Sequence, residues 1–151
     1  GDPLLRDDAQ QALIAEIVPL AEVITPNIPE AEVLTGMSIQ TKDDMKKAAV
    51  IIHQKGAKNV LVKGGHRTED AEDILYDGHD FTEYFAEKIP TKNTHGTGCT
   101  YSAAIAANLA LGKSVQEAIA ISKEFITLAI RNSFNLGQGI GPLNHFVKIA
   151  Y

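Results

Sequence analysis

The chain of 151 residues is 44% hydrophobic and 22% charged, the balance of an ordinary globular protein long enough to bury a core. Its net charge of −5 argues against nucleic acid or an anionic membrane as a partner, and its single cysteine excludes an intrachain disulfide framework. The longest apolar stretch, 103–111, is interrupted by Asn108 and is far too short to cross a membrane; with no legible signal peptide, a cytoplasmic protein is expected.

In chain order, the periodicity predicts a first helix over about residues 8–18, with Leu13, Ile14 and Ile17 on one face. Residues 22–25 predict a short strand ended by Pro26, and residues 29–35 a helix stopped by Gly36 as its C-cap. Thr41 and Asp44 have capping-box spacing for a third helix that reaches Gln54 and closes at Gly56. Residues 59–62 form a β-branched strand that runs into Lys63, Gly64 and Gly65. Residues 72–76 and 81–85 flank an Asp-Gly-His-Asp turn and predict a hairpin. Two long helices follow, over 99–111 and from 115 to about 133. No repeat, low-complexity segment or interior linker interrupts the chain.

Alternating strands and helices imply an α/β sheet with crossover connections, in which only two strands of parallel type are clear. Ligands of such sheets bind beyond the carboxyl ends of the strands, so the loops after Thr25, Val62 and Pro90 are expected to carry the site. The helix over 101–111 is apolar in nearly every direction, and such helices are normally buried on all sides. The sheet legible in this sequence is too small to cover it, which predicts a fragment of a larger domain.

Residues 93–100, Asn-Thr-His-Gly-Thr-Gly-Cys-Thr, open directly onto that helix. Gly96 and Gly98 permit close approach of the backbone to a ligand, and the helix start offers unpaired amides, that of Thr97 among them, at the positive end of the dipole. Together these make a cradle for an anion, most often phosphate. Cys99 sits at its mouth, where the helix end favours a thiolate. The competing reading is an ordinary connection with a small buried cysteine. His95 either helps orient the anion or fills space in the loop. Two other patterns are decoys: Gly112-Lys113-Ser114 follows a helix rather than the strand a P-loop requires, and the five histidines have no metal-ligand spacing.

Residues 94–100, Thr-His-Gly-Thr-Gly-Cys-Thr, resemble the active-site signature of the ribokinase-like kinases. More narrowly, they are similar to the hydroxymethylpyrimidine and phosphomethylpyrimidine kinase branch of thiamin biosynthesis, in which cysteine replaces the superfamily's catalytic aspartate. The resemblance implies an α/β protein with the ribokinase-like three-layer α/β/α sandwich. This chain matches only its C-terminal portion, residues 1–151 forming part of a single kinase domain whose N-terminal half is absent. It implies ATP-dependent phosphorylation of hydroxymethylpyrimidine and of its monophosphate, with Cys99 as the catalytic residue and Gly96, Thr97 and Gly98 as the anion hole. Asn27 and Glu30 match an Asn-x-x-Glu element whose acid acts on Mg²⁺ through water; read locally, the same two residues are a helix cap. Lys63, with Gly64 and Gly65, takes the place of a nucleotide-phosphate site, or is a solvent-facing lysine before a turn. Residues 137–145 resemble the branch's C-terminal glycine loop, with Gln138 where a histidine often stands; the local alternative is a flexible connection. A homodimer is expected. The other readings are a pyridoxine or pyridoxal kinase of the same branch and, for the isolated chain, a non-catalytic binding or assembly module.

Overall fold

The computed structural model describes residues 11–65 and 71–149. Two compact units divide the chain, Gly1–Phe85 and Ala86–Tyr151.

The first unit opens with a helical segment whose predicted start, residues 8–10, lies outside the described residues. It does not continue as a regular α-helix: Leu13–Ile17 form a π-helix and Val18–Leu20 a 3₁₀ turn. Pro19 explains the break, since its ring supplies no N–H to an i→i−4 bond. The predicted apolar face is also corrected. Leu13 and Ile17 are exposed, and the residue that enters the core is Val18.

Helix α1, Ile28–Thr35, is closed at both ends by its own sequence. Asn27 and Glu30 form a reciprocal capping box, and Gly36 ends the helix in the left-handed region at φ 73°. Helix α2, Lys42–Gln54, repeats the device with Thr41 and Asp44. The Thr41 hydroxyl and backbone amides bonded to Asp44 hold its carboxyl below the usual range.

Strands β1 (Val60–Lys63), β2 (Asp73–Tyr76) and β3 (Phe81–Tyr84) form one sheet in that order. The hairpin expected from residues 72–76 and 81–85 is realised as β2 and β3. The two strands expected to be of parallel type, 22–25 and 59–62, meet in parallel, while β1 joins the hairpin antiparallel. β1 runs antiparallel to β2, and β2 antiparallel to β3. Among the described residues of this unit, parallel pairing is confined to single bridges from Ile24 to Val60 and from Asn27 to Lys63. The predicted strand over 22–25 is thus reduced to one bridging residue, because Pro26 follows with no N–H for the ladder. The core lies where α1 and α2 cover one face of the sheet, with Met45, Ala49 and Ile52 packed against Val60, Val62 and Ile74. Leu61 and Leu75, on the opposite face, are also buried. The edge strand β3 is guarded by charge, since Glu83 pairs with Lys42 and Lys46 of α2.

In the second unit, α3 (Thr97–Ala110) packs on α4 (Val115–Arg131). Gly112 turns the chain at φ 82°, and Ser114 caps α4 in a box with Glu117, so the Gly-Lys-Ser triplet is helix punctuation. α4 buries a regular stripe that includes Ala118, Ile119, Ser122, Ile126 and Ala129. α3 buries only Tyr101 and Ile105. Ala103, Ala106, Ala107 and Ala110 are exposed, and Leu111 beyond its end is 78% exposed. Among the described residues no helix is long and apolar enough to cross a membrane.

Candidate active site

The first unit carries the residues expected at metal and nucleotide. Asn27 Oδ1 accepts the Glu30 amide at 2.8 Å, and Glu30 Oε2 accepts the Asn27 amide at 2.8 Å. The local reading of this pair as a helix cap is therefore realised. Glu30 is nevertheless exposed, and its second carboxylate oxygen is not used by the cap. Among the described residues no cluster of three or more His, Cys, Asp or Glu could hold a metal directly. The donor chemistry here is one carboxylate beside an amide, which suits a hard cation that keeps most of its waters and is contacted through them.

Lys63 comes to this cap through the backbone. Its amide donates to the Pro26 carbonyl at 2.8 Å, and Asn27 bridges to it in parallel register. Asn27, Glu30 and Lys63 thus share one end of β1. Among the described residues Lys63 makes no ion pair. The two glycines after it differ. The Gly64 amide donates to the buried Asp73 carboxylate at 3.0 Å, and a Cβ on Gly64 would lie 2.1 Å from the Glu72 carbonyl oxygen. That glycine serves the β1–β2 connection, and its amide is engaged there. Gly65 has open space around it.

The second unit carries the residues expected to form the anion cradle. Gly96 is the N-cap of α3, in the left-handed region at φ 84°, with no side-chain cap. The helix begins at Thr97, two residues earlier than the sequence predicts, so Gly98 and Cys99 lie inside its first turn. The Thr97 amide donates back to the Thr94 carbonyl at 3.3 Å, and the Thr100 amide to the Gly96 carbonyl at 2.9 Å. Among the described residues the amides of Gly98 and Cys99 have no acceptor, leaving two donors for a ligand at the positive end of the helix. The Cys99 thiol is free and exposed, which overturns the reading of a small buried cysteine.

The loop before this turn is held by the chain's C-terminal segment. The His95 amide donates to the Gly141 carbonyl at 3.2 Å, Asn93 Nδ2 donates to Asn135 Oδ1 at 3.0 Å, and Thr100 Oγ1 lies 2.9 Å from His145 Nε2. Residues 137–145 are thus no loose tail. Gln138 is exposed. Sequence reasoning gave Asn93, Asn135 and His145 no roles of their own. The one signal was composition, a second glycine cluster with asparagines on both sides.

A family model described as phosphomethylpyrimidine kinase matches residues 1–144. The hydroxymethylpyrimidine/phosphomethylpyrimidine kinase of Bacillus subtilis (strain 168) is 45% identical over 148 residues, 97% of this chain and 55% of that protein. The chain spans about half the length of the curated relatives it matches. Among solved structures, the ADP complex of a Bacillus subtilis pyridoxal kinase is 49% identical with a TM-score of 0.89, over 95% of this chain and 57% of that one. A phosphomethylpyrimidine kinase from Clostridium difficile is 46% identical with a TM-score of 0.73, over 86% of this chain and 52% of that one. The fold class is therefore the α/β ribokinase-like fold of these kinases.

Proposed function

The chain belongs to the phosphomethylpyrimidine kinase family, and on that premise we propose that it is the C-terminal part of an ATP-dependent, Mg²⁺-requiring kinase. The substrates are hydroxymethylpyrimidine and then its monophosphate, phosphorylated in thiamin biosynthesis. The observation that carries this reading is the open first turn of α3, where two unpaired amides adjoin an exposed thiol.

The chain's own residues divide the work. The amides of Gly98 and Cys99 bind the charge that develops on the transferred phosphoryl oxygens, with Gly96 giving the backbone the turn that presents them. Thr97, whose amide is engaged by Thr94, shapes the hole rather than donating to it. Cys99 Sγ orients the attacking hydroxymethyl group and accepts its proton. Lys63 offers an ammonium to the nucleotide phosphates, and the spare oxygen of Glu30, steadied by Asn27, holds a water of the hydrated metal. Mg²⁺, when bound, neutralises phosphate charge during transfer. Gly65, not Gly64, is the position open to a ligand.

A second reading has a specific observation behind it: the pyridoxal kinase structure is as similar to this chain as the curated pyrimidine kinase is. Pyridoxal also presents a hydroxymethyl group on a heteroaromatic ring. Turnover of hydroxymethylpyrimidine and pyridoxal, measured side by side on the complete enzyme, tests both. Higher kcat/KM for the pyrimidine supports the first reading, and preference for pyridoxal replaces it with the second. No turnover of either refutes both.

A further inference from the structure

We propose that the segment from Asn135 to His145 is a clasp that fixes the first turn of α3, with Asn93 and Asn135 as its positioning residues. This inference deepens the kinase reading and rests on it.

Three anchors bracket the open turn at residues 96–99. Before it, Asn93 Nδ2 reaches Asn135 Oδ1 at 3.0 Å and the His95 amide reaches the Gly141 carbonyl at 3.2 Å. After it, Thr100 Oγ1 meets His145 Nε2 at 2.9 Å. The segment is itself tied down, because the Phe134 amide donates to the Pro142 carbonyl at 3.2 Å and the Asn144 amide to the Ala129 carbonyl of α4 at 3.1 Å. Donors aimed at a developing charge act only when their positions are fixed beforehand, and this turn has no side-chain cap to fix it from within. The support comes from outside the helix.

Asn93 is the centre of the clasp. Its side chain is 4% exposed and its Oδ1 has no hydrogen-bond partner among the described residues, an arrangement stability alone does not favour. Gly141 presses against it so closely that a Cβ would fall 2.1 Å from Asn93 Oδ1 and 2.9 Å from the Phe134 carbonyl oxygen. The close approach leaves no slack between the two loops. Asn135, by contrast, is exposed, so its side chain can be altered without opening a cavity.

The test uses the complete enzyme. Asn135→Ala removes the acceptor from the solvent side and should lower kcat about 10- to 100-fold, as small misplacements of a catalytic group do. KM for ATP and the thermal midpoint should stay near wild type, because the loss falls on the transition state. The rate of Cys99 alkylation by iodoacetamide should shift in the same variant, reporting the turn directly. Asn135→Asp keeps an acceptor for Asn93 Nδ2 and should recover most of both effects. Wild-type kcat and alkylation in Asn135→Ala would overturn the clasp, as would equal losses in the Ala and Asp variants. An enzyme inert toward every substrate would sink the kinase reading, while the alkylation rates would still decide the clasp.

Discussion

Helix α3 differs from its three companions in how it begins and from α4 in what it leaves exposed. α1, α2 and α4 each begin with a reciprocal capping box, in which a side chain satisfies a first-turn amide and an acid three residues on returns the favour. α3 begins with Gly96, has no side-chain cap and has no acid in its first turn. α4 hides its apolar stripe, whereas α3 leaves a row of alanines and Leu111 in water. Closed helices are stabilised by their own sequence. The open one leaves amides and apolar surface without partners among the described residues; in the proposed function the first turn serves an anion and the outer face the rest of the kinase domain.

The largest expected effect tests the outer face. Leu111 left in water forgoes roughly 1.5–3 kcal/mol and each exposed alanine about 0.8 kcal/mol, together a sizeable share of a typical net stability of about 5–15 kcal/mol. Residues 1–151 produced alone should therefore self-associate or bind hydrophobic dyes, and should not transfer phosphate. A monomeric chain that unfolds cooperatively and works unaided would erase the contrast between α3 and α4.

Next is the open turn itself. Cys99→Ala in the complete enzyme should lower kcat by about 10²–10⁴-fold, the range for a positioned acid or base, with little change in KM for ATP. If the rate survives, the thiol is a bystander to the anion cradle. The closed ends should respond in the opposite manner. Asp44→Ala should lower the denaturant midpoint slightly and leave turnover unchanged.

Glu30 stands between the two classes, a cap by geometry and, in the proposed function, a contact to the hydrated metal. Glu30→Gln preserves the cap, since glutamine serves at that position, but removes the charge. The Mg²⁺ concentration for half-maximal rate should rise while the thermal midpoint holds. An unchanged Mg²⁺ requirement would make Glu30 purely a cap.

The smallest effect is in pH. The Asp44 and Glu117 carboxyls are held below their ordinary values, each first by the hydroxyl of its N-cap residue. A depressed carboxyl contributes stability that is present above the unfolded value, near pH 4, and lost as pH falls through the folded value. Acid titration followed by circular dichroism should show Asp44→Asn and Glu117→Gln flattening that limb. A limb unaltered by both substitutions would remove the caps from the account of acid stability.

The closed helices were legible because their signals are local: Asn27 to Glu30, Thr41 to Asp44 and Ser114 to Glu117 are three residues apart. Strand β1 and the hairpin of β2 and β3 were legible on the same local grounds, but the antiparallel joining of β1 to β2 was not, because no turn signature links them, and Pro26 cut short the strand expected over 22–25. Pro19 likewise hid the change from α to π and 3₁₀ geometry. At the candidate site, residues 93–100 announced an uncapped helix start through their glycines. The engagement of Gly64 by Asp73, nine residues on, and of Asn93 by Asn135, 42 residues on, could not be read in one dimension.

Gly96 and Gly141 should leave different fingerprints in a saturation-mutagenesis map. At Gly96 a Cβ meets nothing within 4 Å, and the obstacle is a left-handed φ of 84°. Asparagine and aspartate tolerate that region better than β-branched residues, so the column should be graded by backbone preference. Gly141 carries no positive φ, and its obstacle is the space already filled by Asn93 and the Phe134 carbonyl. Its column should be graded by volume alone, with alanine the least harmful substitution and a smaller side chain at 93 widening what is allowed. Pairing Gly141→Ala with Asn93→Ala should therefore regain part of the lost stability without regaining rate, separating the space at the seam from the hydrogen bond that Asn93 makes across it.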